Sequence, residues 1–157
     1  MRSRASLCFA LATIALGVSS SSALQGQTPS ILPQNTIAIT SFSPDTLYLN
    51  TFDVTVNLRH TFTGLTATHY RVSHFSDFRD AKWITYVPNP TVTTNNTWFT
   101  ADAGGNQRYT GTVYFQLRAR NPNAGRPVSI SGGTTTVQPD FINSNIVSKR
   151  LHVVFAG

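Results

Sequence analysis

The chain has 157 residues, a formal charge of +6 and 40% hydrophobic residues, which fits one globular domain and is short for two. Charged residues make up only 11%, which excludes a charge-rich disordered chain. All six acids are Asp, which disfavours long helices built on capping boxes and Glu–Lys pairs.

Residues 1–23 have the three-part order of a secretory signal peptide: basic Arg2 and Arg4, apolar Leu7 to Val18, and small Ser21-Ser22-Ala23 for cleavage. The apolar run is shorter than the roughly 20 residues a membrane span needs. Cys8, the only cysteine, lies inside this leader, so the mature chain is predicted to be secreted and to fold without disulfides. Cleavage leaves ten basic residues against six acids, a charge of +4. That balance favours solubility and weak attraction to anionic surfaces, and no dense basic run or nucleic-acid module accompanies it. Residues 24–36 are polar, carry Pro29 and Pro33, and read as a flexible tether.

Residues 37–157 read as strands and turns. Ile37 to Phe42 alternates and stops at Ser43-Pro44-Asp45. Phe52, Val54, Val56 and Leu58 alternate with Asp53, Thr55, Asn57 and Arg59, a half-buried strand. His69 to Phe75 places Tyr70 and Val72 on one face and His69, Arg71 and Ser73 on the other. Ala81 to Val87 is a further strand, ended by Pro88-Asn89-Pro90, and Thr91 to Phe99 is β-prone but interrupted at Asn95-Asn96. The strongest alternation follows the loop Asp102 to Asn106: Val113, Phe115, Leu117 and Ala119 against Tyr114, Gln116, Arg118 and Arg120. Fragments at Val128 to Ile130 and Thr134 to Val137 flank Gly132-Gly133, and Leu151 to Phe155 is a terminal strand whose apolar content predicts pairing inside a sheet. No segment holds a helical period over two turns. The fold class is all-β, an antiparallel sandwich with apolar inner faces and polar outer ones.

Two stretches resemble bacterial immunoglobulin-like modules. Tyr70-Arg71-Val72-Ser73, Asp77-Phe78, Ala81, Trp83 and Tyr86 are similar to their C strand and following hairpin. Gly111 to Arg118 resembles their F strand, and Arg118-Ala119-Arg120-Asn121 resembles the close of strand F in fibronectin type III domains. The likeness covers about residues 67–125. Val113 stands where fibronectin modules usually place a Tyr, so the tyrosine corner is missing, and a long segment from Gly125 to Gly157 replaces the usual ending. The resemblance implies an immunoglobulin-like β-sandwich over residues 37–157. Such modules serve secreted and surface proteins as spacers or adhesive units, and they share no catalytic or cofactor residues.

The residues themselves point away from catalysis. Gly-x-Ser-x-Gly is missing, the mature chain has no Cys, and the six Asp are scattered singly, mostly in turns. His60, His69 and His74 lack zinc-ligand spacing, and Asp77 and Asp80 do not form a calcium loop. No cofactor or metal is expected. Trp83 and Tyr86 are assigned to the core or its edge, and core burial is also the favoured reading of Trp98-Phe99, in a Thr/Asn-rich stretch, with one ring exposed to a sugar or a partner as the alternative. Asn95-Asn96-Thr97 is an N-glycosylation sequon, relevant in a eukaryotic source.

With the immunoglobulin strand order, the C and F strands share a sheet. Its flat outer face then presents His69, Arg71, Tyr114, Gln116, Arg118 and Arg120, a candidate surface for an anionic polymer, a glycan or a protein edge, with Trp98 as a second contact. The alternative for the same arginines is a solvated outer face whose stems cover apolar surface. The expected function is a secreted, non-catalytic binding or adhesion module for a glycan or protein ligand. The alternative is a small envelope or matrix subunit that self-associates through edge strands or the Gly125–Gly157 segment.

Overall fold

The computed structural model describes residues 35–104, 107–130 and 133–155. The expected leader, residues 1–23, and the expected tether up to residue 34 lie outside the described residues. Twelve strands follow in chain order: β1 (Ile37–Pro44), β2 (Tyr48–Leu49), β3 (Thr55–Gly64), β4 (Ala67–Ser73), β5 (Ile84–Thr85), β6 (Thr91–Thr93), β7 (Phe99–Ala101), β8 (Arg108–Arg120), β9 (Pro127–Ile130), β10 (Thr134–Val137), β11 (Phe141–Asn143) and β12 (Val147–Val154). A single 3-10 turn, Asn96–Trp98, precedes β7, and no α-helix occurs among the described residues. No helix there is long and apolar enough to cross a membrane. The chain is all-β.

Among the described residues, one sheet has the order β1-β3-β6 and a larger one the order β2-β12-β8-β4-β5, while β9 and β10 pair only with each other. Every ladder is antiparallel except the short parallel pair of β2 and β12. The 13-residue β8 is the spine of the larger sheet, pairing with β4, β7, β11 and β12. Its alternation has a direct cause: Val113, Phe115, Leu117 and Ala119 are fully buried on one side. Across from them, Ile37, Ile39, Phe42, Val56 and Leu58 of the smaller sheet enter the same core, and Phe42 stacks on Phe115 at 5.3 Å. Burial of these side chains, at roughly 1.5–3 kcal/mol each, is the main force holding the two sheets together.

Two local irregularities set which residues reach that core. The β1–β3 register shifts between Ile39 and Ser41, and this extra residue turns Phe42 inward where strict alternation would have buried Ser41. Asn145 secures the bulge: its Oδ1 accepts from Ile39 N at 2.7 Å and its Nδ2 donates to Ile39 O at 3.2 Å. A second shift between Ala67 and His69 lets both Ala67 and Tyr70 face the core. At the β3–β4 turn, Gly64 has φ +93°, and a Cβ there would sit 2.0 Å from Thr36 O, so only glycine fits.

Three readings from sequence change. The strand expected over Ala81–Val87 shrinks to Ile84–Thr85, because the residues before it leave the sheet to cross its outer face. Thr91–Phe99 resolves into β6, the 3-10 turn and the start of β7. The terminal strand is longer than expected and lies inside the larger sheet, between β2 and β8.

Candidate functional site

The register of β4 on β8 sets His69 opposite Arg118, Arg71 opposite Gln116 and Ser73 opposite Tyr114. Tyr70 and Leu117 form the intervening pair, with both side chains in the core. The candidate residues of the two strands therefore share the outer face of the larger sheet. That face differs from the flat, solvated surface expected. Residues 74–83 fold back over it and bury Phe78, while β11 brings Phe141 against its far end.

The result is a stack of alternating rings and cations. The Arg71 guanidinium lies 4.2 Å from the Phe78 ring centre and 4.6 Å from that of Trp83. Arg118 lies 4.6 Å from the Trp83 ring centre and 4.0 Å from that of Phe141. Trp83 thus sits between two arginines, outside the core and edge assigned to it from sequence, and each arginine sits between two rings. A planar, weakly hydrated guanidinium tolerates this burial where an ammonium would not. The edges are also engaged: Arg71 Nε and Nη2 donate to Gln116 Oε1 at 3.0 and 2.7 Å, and Gln116 Nε2 donates onward to Ser144 O at 2.8 Å. Gln116 is accordingly buried rather than exposed. Arg118 Nε is buried and has no hydrogen-bond partner.

Ser73, also expected outside, is buried by the same covering segment. Its hydroxyl donates to Asp80 and accepts from Phe75 N, which fixes the start of the crossing segment. Asp80 also meets His74 Nδ1 at 3.1 Å. Phe78 takes φ 56°, an unusual conformation for a bulky residue, held by its burial against Arg71.

The electrostatics follow from this packing. Among the described residues the ion pairs are His74–Asp80 and Arg79–Asp77, so no carboxylate pairs with Arg71, Arg118 or Arg120. Burial holds both Arg71 and Arg118 below the usual guanidinium value, and for Arg71 the neighbouring Arg118 adds to the effect. Burial, then the charges of Arg118 and Arg120, lower the pKa of His69. His69 meets Phe141 edge to face at 5.4 Å. What remains open to a ligand is the rim: Arg120 is exposed, and His69, Tyr114 and Phe141 are half-buried.

Trp98, placed from sequence in the core or, alternatively, as an exposed contact, takes the packed position. It lies half-buried on the 3-10 turn, stacks on His74 at 5.2 Å and packs on the core, and Phe99 is half-buried against Phe52. The turn breaks the strand alternation that would have sent one ring outward, and Asn95 caps it by accepting from Thr97 N at 2.9 Å. The histidines separate as well. His60 joins the inner side, bonded to Tyr86 Oη at 3.1 Å, whereas His69 lies on the outer face against Phe141 and His74, just past the end of β4, stacks on Trp98. No group of three His, Cys, Asp or Glu side chains able to hold a metal occurs among the described residues.

Sequence reasoning missed Phe78 and Phe141 as partners of the arginines. Neither lies in an alternating segment, and only Phe78 had a signal, as part of the stretch resembling immunoglobulin-like modules. Comparison with protein-family models, curated proteins and solved structures found no match to this chain.

Proposed function

We propose that this chain is a secreted, non-catalytic binding or adhesion module with an immunoglobulin-like fold, acting on a glycan or a protein partner. The observation that carries the reading is strand order. With β1, β3 and β6 as strands A, B and E, and β4, β8 and β12 as C, F and G, the two sheets follow the A-B-E and C-F-G grouping of that fold. The stretches that resemble the family's C and F strands fall on β4 and β8. The long connection from β8 to β12 carries the β9–β10 hairpin and β11. Under that assignment it corresponds to the F–G loop, which serves recognition in immunoglobulin variable domains.

Binding of the full chain to glycan arrays and to cell-surface preparations, at low and high salt, tests the reading. Saturable binding is expected, and its complete absence for the folded protein would sink the proposal. The Arg120→Ala variant probes the rim without disturbing the buried stack.

One observation favours the self-associating subunit as a second reading. Among the described residues the β9–β10 hairpin pairs with no other strand, and its Val128 and Val137 are exposed. An isolated uncharged hairpin offers two free edges to another chain. Sedimentation over a range of concentrations separates the readings, since a subunit assembles and a binding module stays monomeric.

A further inference from the structure

We infer that the edge of the larger sheet formed by β2, β12 and the first residues of β8 is a binding site for neutral sugar rings, with Tyr48 as its stacking platform. The site deepens the binding-module reading and stands on it.

The placement of Tyr48 begins with alternation in a two-residue strand. Leu49 is buried in the core, so its neighbour points outward, and Tyr48 is 73% exposed. This exposure is not looseness. Tyr48 is opposite His152 in the parallel ladder, His152 N donates to Leu47 O at 2.8 Å, and the two rings stack at 5.3 Å and 20°. One face of the phenol is therefore held against His152 while the side chain stays open to solvent. A large aromatic ring held in one orientation in water is costly unless something covers it.

Polar groups converge beside the ring. A concavity of about 390 Å³ is lined by Tyr48, Asp102, Arg108, Tyr109, His152 and the end of β12, within the usual range for ligand sites. Asp102 is oriented from both ends: its Oδ1 accepts from Thr110 Oγ1 at 2.7 Å and its backbone N donates to Arg108 O at 2.9 Å. Among the described residues its Oδ2 has no hydrogen bond, and Asp102 and Arg108 line one concavity without forming an ion pair. A carboxylate oxygen and a guanidinium thus remain available over the same space. Adjacent hydroxyls of a sugar suit that pair, one donating to the carboxylate and one accepting from the guanidinium. The apolar face of the ring would rest on Tyr48. An acidic sugar is disfavoured because Asp102 would repel it.

Tyr48 also borders a second concavity of about 480 Å³, lined with Thr46, Leu49, Asn50, Val54 and Val154. The tyrosine is the ridge between the two, so the fitting ligand is a chain of neutral sugars crossing the ridge rather than a single ring.

Native gels containing hydroxyethyl cellulose, soluble starch, xylan or galactomannan test the site, with albumin as the reference for mobility. The full chain is compared with Tyr48→Ala, Tyr48→Phe and Asp102→Asn, each checked for folding by circular dichroism. Retardation of the full chain by at least one polysaccharide is expected. It should weaken by about tenfold or more in Tyr48→Ala, weaken in Asp102→Asn and persist in Tyr48→Phe. Retardation that survives both Tyr48→Ala and Asp102→Asn would overturn the site. No retardation in any gel, with saturable binding to cell-surface preparations, would overturn the sugar assignment and leave the module reading standing. Failure of both assays would remove both.

Discussion

Arg118 concentrates much of the outer face's chemistry in one side chain. It contacts two rings and has no acidic partner, so its contribution comes from stacking and buried stem rather than from a salt bridge. Replacing it with Ala should lower stability by roughly 1–3 kcal/mol, read as a shift of the urea midpoint. Lys should fail to restore it, because a compact ammonium matches neither ring plane. A full rescue by Lys would mean that charge alone matters. His69 carries a second expectation. Its folded pKa is depressed by burial and by Arg118 and Arg120, so the unfolded chain binds the proton more readily. Its contribution to stability is therefore fully present above the unfolded histidine value of about 6.5 and is lost as pH falls toward the lower folded pKa. Thermal melts between neutral and mildly acidic pH should show the parent losing stability relative to His69→Gln. Parallel pH profiles would contradict this.

At the scale of elements, the bulge in β1 decides how the two sheets meet. Asn145 bonds both the amide and the carbonyl of Ile39, a residue 106 positions away, and so ties the approach to β12 to the first strand. Asn145→Ala leaves those two backbone groups without their side-chain partner. A loss of about 1–3 kcal/mol is expected, measurable by denaturant unfolding, and amide exchange should quicken in β1 before it does in β8. The β9–β10 hairpin behaves differently, since its contacts are local. Val137→Lys should leave the melting temperature within about 2 °C of the parent, because surface changes rarely exceed 0.5 kcal/mol. It should also abolish any concentration-dependent assembly that runs through the hairpin edge.

For the whole molecule, stability rests on one core shared by two sheets, with Phe115 at its centre against Phe42, Tyr70 and His60. Phe115→Ala should cost about 3–5 kcal/mol, enough to unfold a marginal domain near physiological temperature, as calorimetry would show. The long strands and the facing of β4 and β8 were legible in advance because a half-buried strand must alternate, and Val113 to Arg120 does so without a break. The two-residue β2 and the bulge at Ile39–Ser41 leave no such trace, since neither sustains a period. The candidate site divides along the same line. Composition and alternation alone determined an all-β reading and the facing of each strand, and the resemblance to immunoglobulin-like modules implied that His69, Arg71, Gln116, Arg118 and Arg120 share one face. Only the tertiary structure decided that Phe78, Trp83 and Phe141 would cover most of that face and that Tyr48 would stand free beside Asp102 and Arg108. The reason is physical: periodicity records which side of its own strand a residue faces, whereas cover comes from segments distant in sequence whose packing no local pattern encodes.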